Sequence, residues 1–352
     1  MQNFIPERIK NARKLRGLSM DALSLKMNRM VSKQAISKYE TGKMNPSVNV
    51  MKCVAEALHL PLSYFKTAPV LVGDLNFRID RNIPAQSVSR MISVTKDKIE
   101  RYLKVESILG ISQTFKNPLR GIKVQDKQDV EKCVAKLRSK WELGTMSVFS
   151  VYDMLESHCV KVIEFDCGVK HVIGFSTMIN KNIPLVVINL SANVTTERKR
   201  FTALHELAHI LLSFSEGLEE NTKERLCNYF AGAMLCPAPV FEREIGESRE
   251  HIALAELTSL KTRFGISVAA AVHRARDLGI ISERYYNYIF DNYIHGNIME
   301  NGWGGYPICE RTDRFDRLLQ RIVAEGFADE KQLSGILDAD SKKIIREMTI
   351  LD

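Results

Sequence analysis

The stretch RFTALHELAHILL, residues 200–212, sets two imidazoles and a carboxylate in an apolar run. His205, Glu206 and His209 lie among Leu204, Leu207, Ala208, Ile210, Leu211 and Leu212. At about 100° per helical residue, His209 falls ~40° from His205 and Glu206 falls ~100° from it. The three groups share one arc of a helix that is otherwise apolar all round, and such a helix is buried. Buried polar groups must be paired or they cost free energy. Either these are satisfied core polars, or the helix holds a metal. Two neutral imidazoles one turn apart aim their nitrogens at one point, which suits Zn2+. Glu206 is then placed to work beside the metal as a base rather than to bind it.

A metal needs a third ligand. Glu216, Glu219 and Glu220 sit in a polar, loop-like run where solvated acids are the ordinary reading. Glu224 differs: it lies near the start of a second apolar helix, KERLCNYFAGAML, stopped by Pro237. Cys227, Asn228 and Ala231 share its face, and Ala231 and Gly232 would let the two helices approach closely. Glu224 is therefore the favoured third ligand, with the other acids and the Cys227 thiol as competitors. Asn228, one turn on, can reach a ligand histidine and fix its tautomer. Tyr229 and His171 are the candidates for stabilising an oxyanion, each with a structural role as the alternative.

Together the two segments resemble the ImmA/IrrE family of zinc metallopeptidases. Its first pattern is met at Phe201, Thr202, His205, Glu206 and His209. Its second is met at Glu224, Asn228, Phe230, Ala231 and Leu235, and nearly in register at Pro237. Cys227 stands where the family often has Ala. The resemblance runs over roughly residues 120–285. It implies a gluzincin-like core with a small sheet, two metal-binding helices and one Zn2+ per chain, Mn2+ being the alternative ion. It also implies that the chain cleaves helix-turn-helix repressors and so derepresses stress-response or mobile-element genes.

The elements that position this chemistry belong to a chain of 352 residues, which suggests two or three domains. Of its Lys and Arg residues, 12 lie in residues 1–66 against 4 acids, so the +8 net charge sits in the first fifth of the chain. A basic head on a neutral body suits a polyanion. Residues 4–66 read as five short helices. Gly17 ends the first, while Ser19 and Ser32 cap the second and third. Two short helices around a turn make a helix-turn-helix, whose second helix would present Lys33, Gln34, Ser37 and Lys38 to the major groove. Ala35, Ile36 and Tyr39 point inward. The segment SKQAISKYETGKMNPS resembles the Cro/C1-type (XRE) family. Met20 replaces that family's usual Gln, and Asn28 stands near its usual Gly, where a left-handed conformation is tolerated.

Residues 68–80 read as extended, and 93–110 as a helix connecting head and body. Residues 126–142 form a helix through Val130, Cys133, Val134, Leu137 and Trp141, and a short one follows at 151–158. VKVIEFD, VIGFST and IPLVVINL read as strands of a small sheet. Ser267 caps a helix, and further helices are expected at 313–324 and 329–348. The expected class is α+β, mainly helical. The expected domains are a helix-turn-helix unit at 1–68, a connecting segment at 69–118, a metallopeptidase domain at 119–285 and a helical region at 286–352.

No apolar run reaches the ~18 residues of a membrane span, and the N-terminus lacks a signal peptide's apolar core. Seven cysteines without CxxC spacing favour reduced thiols and a cytoplasmic protein. The expected partners are double-stranded DNA, a protein substrate of the repressor type, and a second copy in a homodimer, with no membrane. A rival reading is a non-proteolytic repressor or antitoxin whose peptidase-like body serves as sensor or dimerisation domain. A thiol sensor built on Cys227 and Cys236 is a further alternative.

Overall fold

The computed structural model describes residues 5–66, 84–112, 114–169, 172–190, 194–328, 333 and 339–349. The extended reading of 68–80, His171, and most of 329–338 lie outside the described residues.

The head contains α1 (Pro6–Leu15), α2 (Met20–Lys26), α3 (Lys33–Glu40), α4 (Val48–Leu58) and a 3-10 turn, Leu62–Lys66. Pro6 opens α1, where a missing N–H is harmless. The hydroxyls of Ser19, Ser32 and Ser47 accept from Ala22, Ala35 and Val50 amides at the next three N-termini. Each such cap contributes about 1 kcal/mol. Asn28 is left-handed as expected, and Arg29 joins it, which lengthens the turn between α2 and α3. Ile9, Leu23, Ile36, Met51, Leu58 and Phe65 fill the core beneath. Arg13 donates to both carboxylate oxygens of Glu40, at 2.5 and 2.8 Å, locking α1 to the end of α3.

The connecting helix, α5 (Ala85–Ile108), begins well before the expected start at 93. Val88, Met91 and Ile92 stand at i, i+3 and i+4 in its first turns, and Met91 packs against the sheet, so the apolar period extends upstream of 93. The sheet contains β2 (Lys161–Phe165), β3 (Gly174–Ile179) and β4 (Ile183–Asn189), in the order β2-β4-β3. β2 runs parallel to β4 and β3 antiparallel to it. Asn180 and Lys181, both at positive φ, make the tight turn of the β3–β4 hairpin. The pleat sorts the side chains. Ile163, Phe165, Phe175 and Val187 meet α5, while Val162, Val186 and Ile188 join the core around α8 (Thr196–Leu211). The segment expected to be a connector is thus the second layer over the sheet.

α8 is buried nearly all round, as its sequence required. It packs along α9 (Glu220–Leu235), which in turn meets α6 (Lys127–Lys140). A two-residue parallel pair, β1 (Lys123–Val124) with β5 (Ser213–Phe214), ties the exit of α8 to the start of α6. α7 (Val151–Ser157), α10 (Ala238–Ile245), α11 (Leu254–Phe264), α12 (Val268–Asp277) and α13 (Glu283–Ile289) complete the body. α10 and α11 were not foreseen. α14 (Arg314–Ala324) and α15 (Ala339–Glu347) follow. α14 lies on α5, with Val105, Leu319 and Ile322 between them.

The segment between α13 and α14 is bound to the body by two acids. Glu300 accepts from the first amides of α12 and pairs with Lys261 at 2.8 Å. Glu310 accepts from Val151 and Tyr152 at the start of α7 and pairs with Arg200 of α8 at 2.5 Å. Gly265 makes room for this. It ends α11 with φ +62°, and a Cβ there would lie 2.4 Å from Arg200 Nε.

Glu310→Ala would leave the Arg200 charge buried without its partner, a loss of about 3–5 kcal/mol. Arg200→Met combined with Glu310→Ala is expected to cost less than the sum of the single changes. Urea unfolding followed by tryptophan fluorescence checks both. A second buried group gives a pH signature. Burial pushes the Glu156 carboxyl up to about 7 from 4.5, against the pull of the Tyr102 hydroxyl, Arg314 and Lys161. The native state therefore holds this proton more tightly than the unfolded chain. That stabilisation is complete below pH ~4.5 and is lost as pH rises through about 7. Glu156→Gln should remove this part of the pH dependence of the unfolding midpoint.

Candidate metal centre

α8 and α9 run side by side, and the close contact sets His205, His209 and Glu224 facing one another. The two Nε2 atoms are 3.1 Å apart. Glu224 places one oxygen 3.4 Å from His205 Nε2 and the other 3.4 Å from His209 Nε2. Ligand atoms at ~2.0–2.1 Å from a tetrahedral zinc stand about 3.3 Å from each other. The triangle of donors therefore has the size a zinc ion requires. Its composition, two imidazoles and one carboxylate, is that of a catalytic zinc site with a fourth position open. Glu216, Glu219 and Glu220 are exposed and stand apart from this triangle.

Glu206, also buried, is held from the sheet. Ser176 Oγ, on β3, donates to Glu206 Oε2 at 2.8 Å. Sequence reasoning missed Ser176, because a serine within a strand carries no motif. Gly174 explains the approach: a Cβ there would come within 2.6 Å of Thr202 on α8. Gly232, read from sequence as the spacer between α8 and α9, faces Arg274 instead.

The support behind the histidines differs from expectation. Cys227 Sγ lies 3.7 Å from His209 Nδ1, the ring nitrogen turned away from the triangle. Asn228, expected in that role, is half-buried and has no side-chain hydrogen bond among the described residues. On a helix that packs this closely, the more deeply buried neighbour reaches the ring. Tyr229 points elsewhere: its hydroxyl donates to Glu131 on α6 at 2.8 Å, and Arg274 lies over its ring. It is not placed to stabilise an oxyanion. Cys236 is buried at the far end of α9, with its thiol pushed up to about 12 by desolvation, and so is inert.

In the head, Lys33, Gln34 and Lys38 project outward from α3 and Ser37 is half-buried. Lys33 has only a 3.5 Å exposed contact with Asp21. Ile36 and Tyr39 are buried and Ala35 is half-buried, as their inward orientation required.

Two helices presenting a His/His/Glu triangle beside a small sheet define a metallopeptidase-like fold. Residues 155–276 match the family model of the IrrE N-terminal-like domain of peptidase M78, and residues 9–65 match a helix-turn-helix model. The chain therefore joins an XRE-type helix-turn-helix head to an IrrE-like peptidase domain. The peptidase match spans β2 to α12, so both site helices fall inside it and α5, α6 and the segment beyond α12 outside. No curated protein matches the chain. None of the helices among the described residues is long and apolar enough to cross a membrane.

Cys227→Ala is expected to weaken Zn2+ binding about tenfold or more. Asn228→Ala should weaken it less. Competition against a chromogenic chelator measures both.

Proposed function

We propose that the chain is a zinc-dependent endopeptidase carrying its own DNA-binding head, and that it regulates transcription by cutting a repressor-type protein or itself. The carrying observation is the donor triangle of His205, His209 and Glu224, with Glu206 buried on the same helix. His205, His209 and Glu224 would hold the ion. When bound, zinc supplies a Lewis acid that makes water a nucleophile near neutral pH and polarises a peptide carbonyl.

Glu206 takes the proton of the attacking water and returns it to the leaving amine nitrogen. Ser176 holds one of its oxygens during both transfers. The head would dock α3 in the major groove, with Gln34 and Lys33 at base edges and Ser37 and Lys38 toward the backbone. The rival, a non-proteolytic regulator, needs none of the donor triangle.

We propose that the peptidase domain, expected at 119–285, extends to Glu310, whose carboxylate accepts from the first amides of α7 and pairs with Arg200 of α8. It also takes in α5, whose apolar face covers the sheet. The head has a core of its own, from Ile9 to Phe65.

Purified chain is expected to carry about one Zn2+, and His209→Ala or Glu224→Ala to lose it. Glu206→Gln should keep the zinc and lose cleavage. Elemental analysis, with mass spectrometry of the chain and of co-expressed helix-turn-helix repressors, reads both. A wild-type chain that holds no zinc, or a Glu206→Gln variant that cuts as fast as wild type, defeats the reading.

A further inference from the structure

The contact between β3 and α8 has a repeat. Gly174 and Ser176 are two apart on a strand, so both face α8; Thr202 and Glu206 are four apart on a helix, so both face β3. Two strand residues rise about 6.7 Å and four helical residues about 6.0 Å. The two pairs therefore align as successive rungs. On the first, Gly174 lies against Thr202, so closely that a Cβ would meet the Thr202 methyl at 2.6 Å. On the second, Ser176 Oγ meets Glu206 Oε2 at 2.8 Å. The missing side chain on one rung sets the hydrogen bond on the next.

Both members of the second rung are buried, with Ser176 at 0% and Glu206 at 6% exposure. A buried carboxylate needs donors, and a hydroxyl held by a strand is one whose position does not depend on a loop. The bond directs the plane of the carboxylate and commits one oxygen to the sheet.

We infer that Ser176 is the positioning residue for Glu206, holding one carboxylate oxygen so that the other is aimed at the His205–His209–Glu224 triangle. This rests on the peptidase reading above. Ser176 is not one of the three donors, so its loss should disturb Glu206 while leaving metal binding unchanged.

Acetohydroxamate is a suitable probe. It is a small zinc ligand whose acidic hydroxyl is offered to a carboxylate beside the metal. Full-length chain is loaded with Zn2+, and binding isotherms are taken for Zn2+ and for acetohydroxamate. In Ser176→Ala, Zn2+ affinity is expected to stay within about twofold of wild type, while acetohydroxamate binding weakens about tenfold or more, as for loss of a hydrogen bond to a buried charge. Ser176→Thr keeps the hydroxyl and should recover most of the loss. A merely structural role would lower both affinities together, along with the unfolding midpoint. If Ser176→Ala binds acetohydroxamate as tightly as wild type while Glu206→Gln does not, the inference is overturned and the peptidase reading stands. If wild type binds no Zn2+, both fall.

Discussion

Arg200 precedes His205 on the same buried helix, and its guanidinium has no exposed surface. It pairs with Glu310 and also donates to the carbonyls of Val148, Phe149 and Phe264. One side chain therefore gathers the start of α7, the loop before it, the end of α11 and a segment from beyond α13 around the first half of α8. Both its Nη atoms are paired, while Nε is buried without a hydrogen-bond partner among the described residues, so a cation this deep depends on the partners its two Nη atoms keep. Glu310 spends its two oxygens on that cation and on the α7 amides, where a helix N-terminus favours negative charge. This anchorage lies one turn and more before His205 and His209 on α8.

Close packing on either side of α8 sets the chemistry. On the α9 side, three donor atoms converge to the spacing a single ion would impose. On the β3 side, a glycine allows a serine hydroxyl to reach the remaining acid. His209 thus has its second ring nitrogen beside a thiol. His205 Nδ1 is buried with no hydrogen-bond partner among the described residues. Site and scaffold meet in the same rows of side chains, so small changes in helix–sheet spacing act directly on Glu206.

The head is connected to the body by more than chain. α5 covers the sheet with Met91, Ile99 and Tyr102. On its other side it pairs with α1 of the head, through Arg8 with Glu100 and Lys96 with Glu7. At its far end Glu106 takes both Lys161 of β2 and Arg314 of α14. One helix therefore touches the DNA-binding unit, the sheet beneath the candidate site, and the C-terminal helices. Of the two pairs at α1, Lys96 with Glu7 is partly solvated and so weak, whereas Arg8 and Glu100 are largely buried.

Much was legible in the residues themselves. The two-histidine arc, Glu224 and the helix-turn-helix follow from local rules: periodicity, caps and the reach of side chains one turn apart. The three strands were legible too, since β-branched runs between turn residues have few other folds. What local rules could not show were contacts whose partners lie far apart in the chain. Ser176 and Glu206, Cys227 in place of Asn228, and Arg200 with Glu310 all depend on which faces the packed helices turn to each other. The start of α5 was readable from Val88, Met91 and Ile92 at helical spacing, but that the helix covers the sheet was not. The chain's own sequence determined which residues could perform metal chemistry and on which helices they ride. Only the tertiary structure decided what holds them, because a buried polar group finds its partner through packing rather than through spacing along the chain.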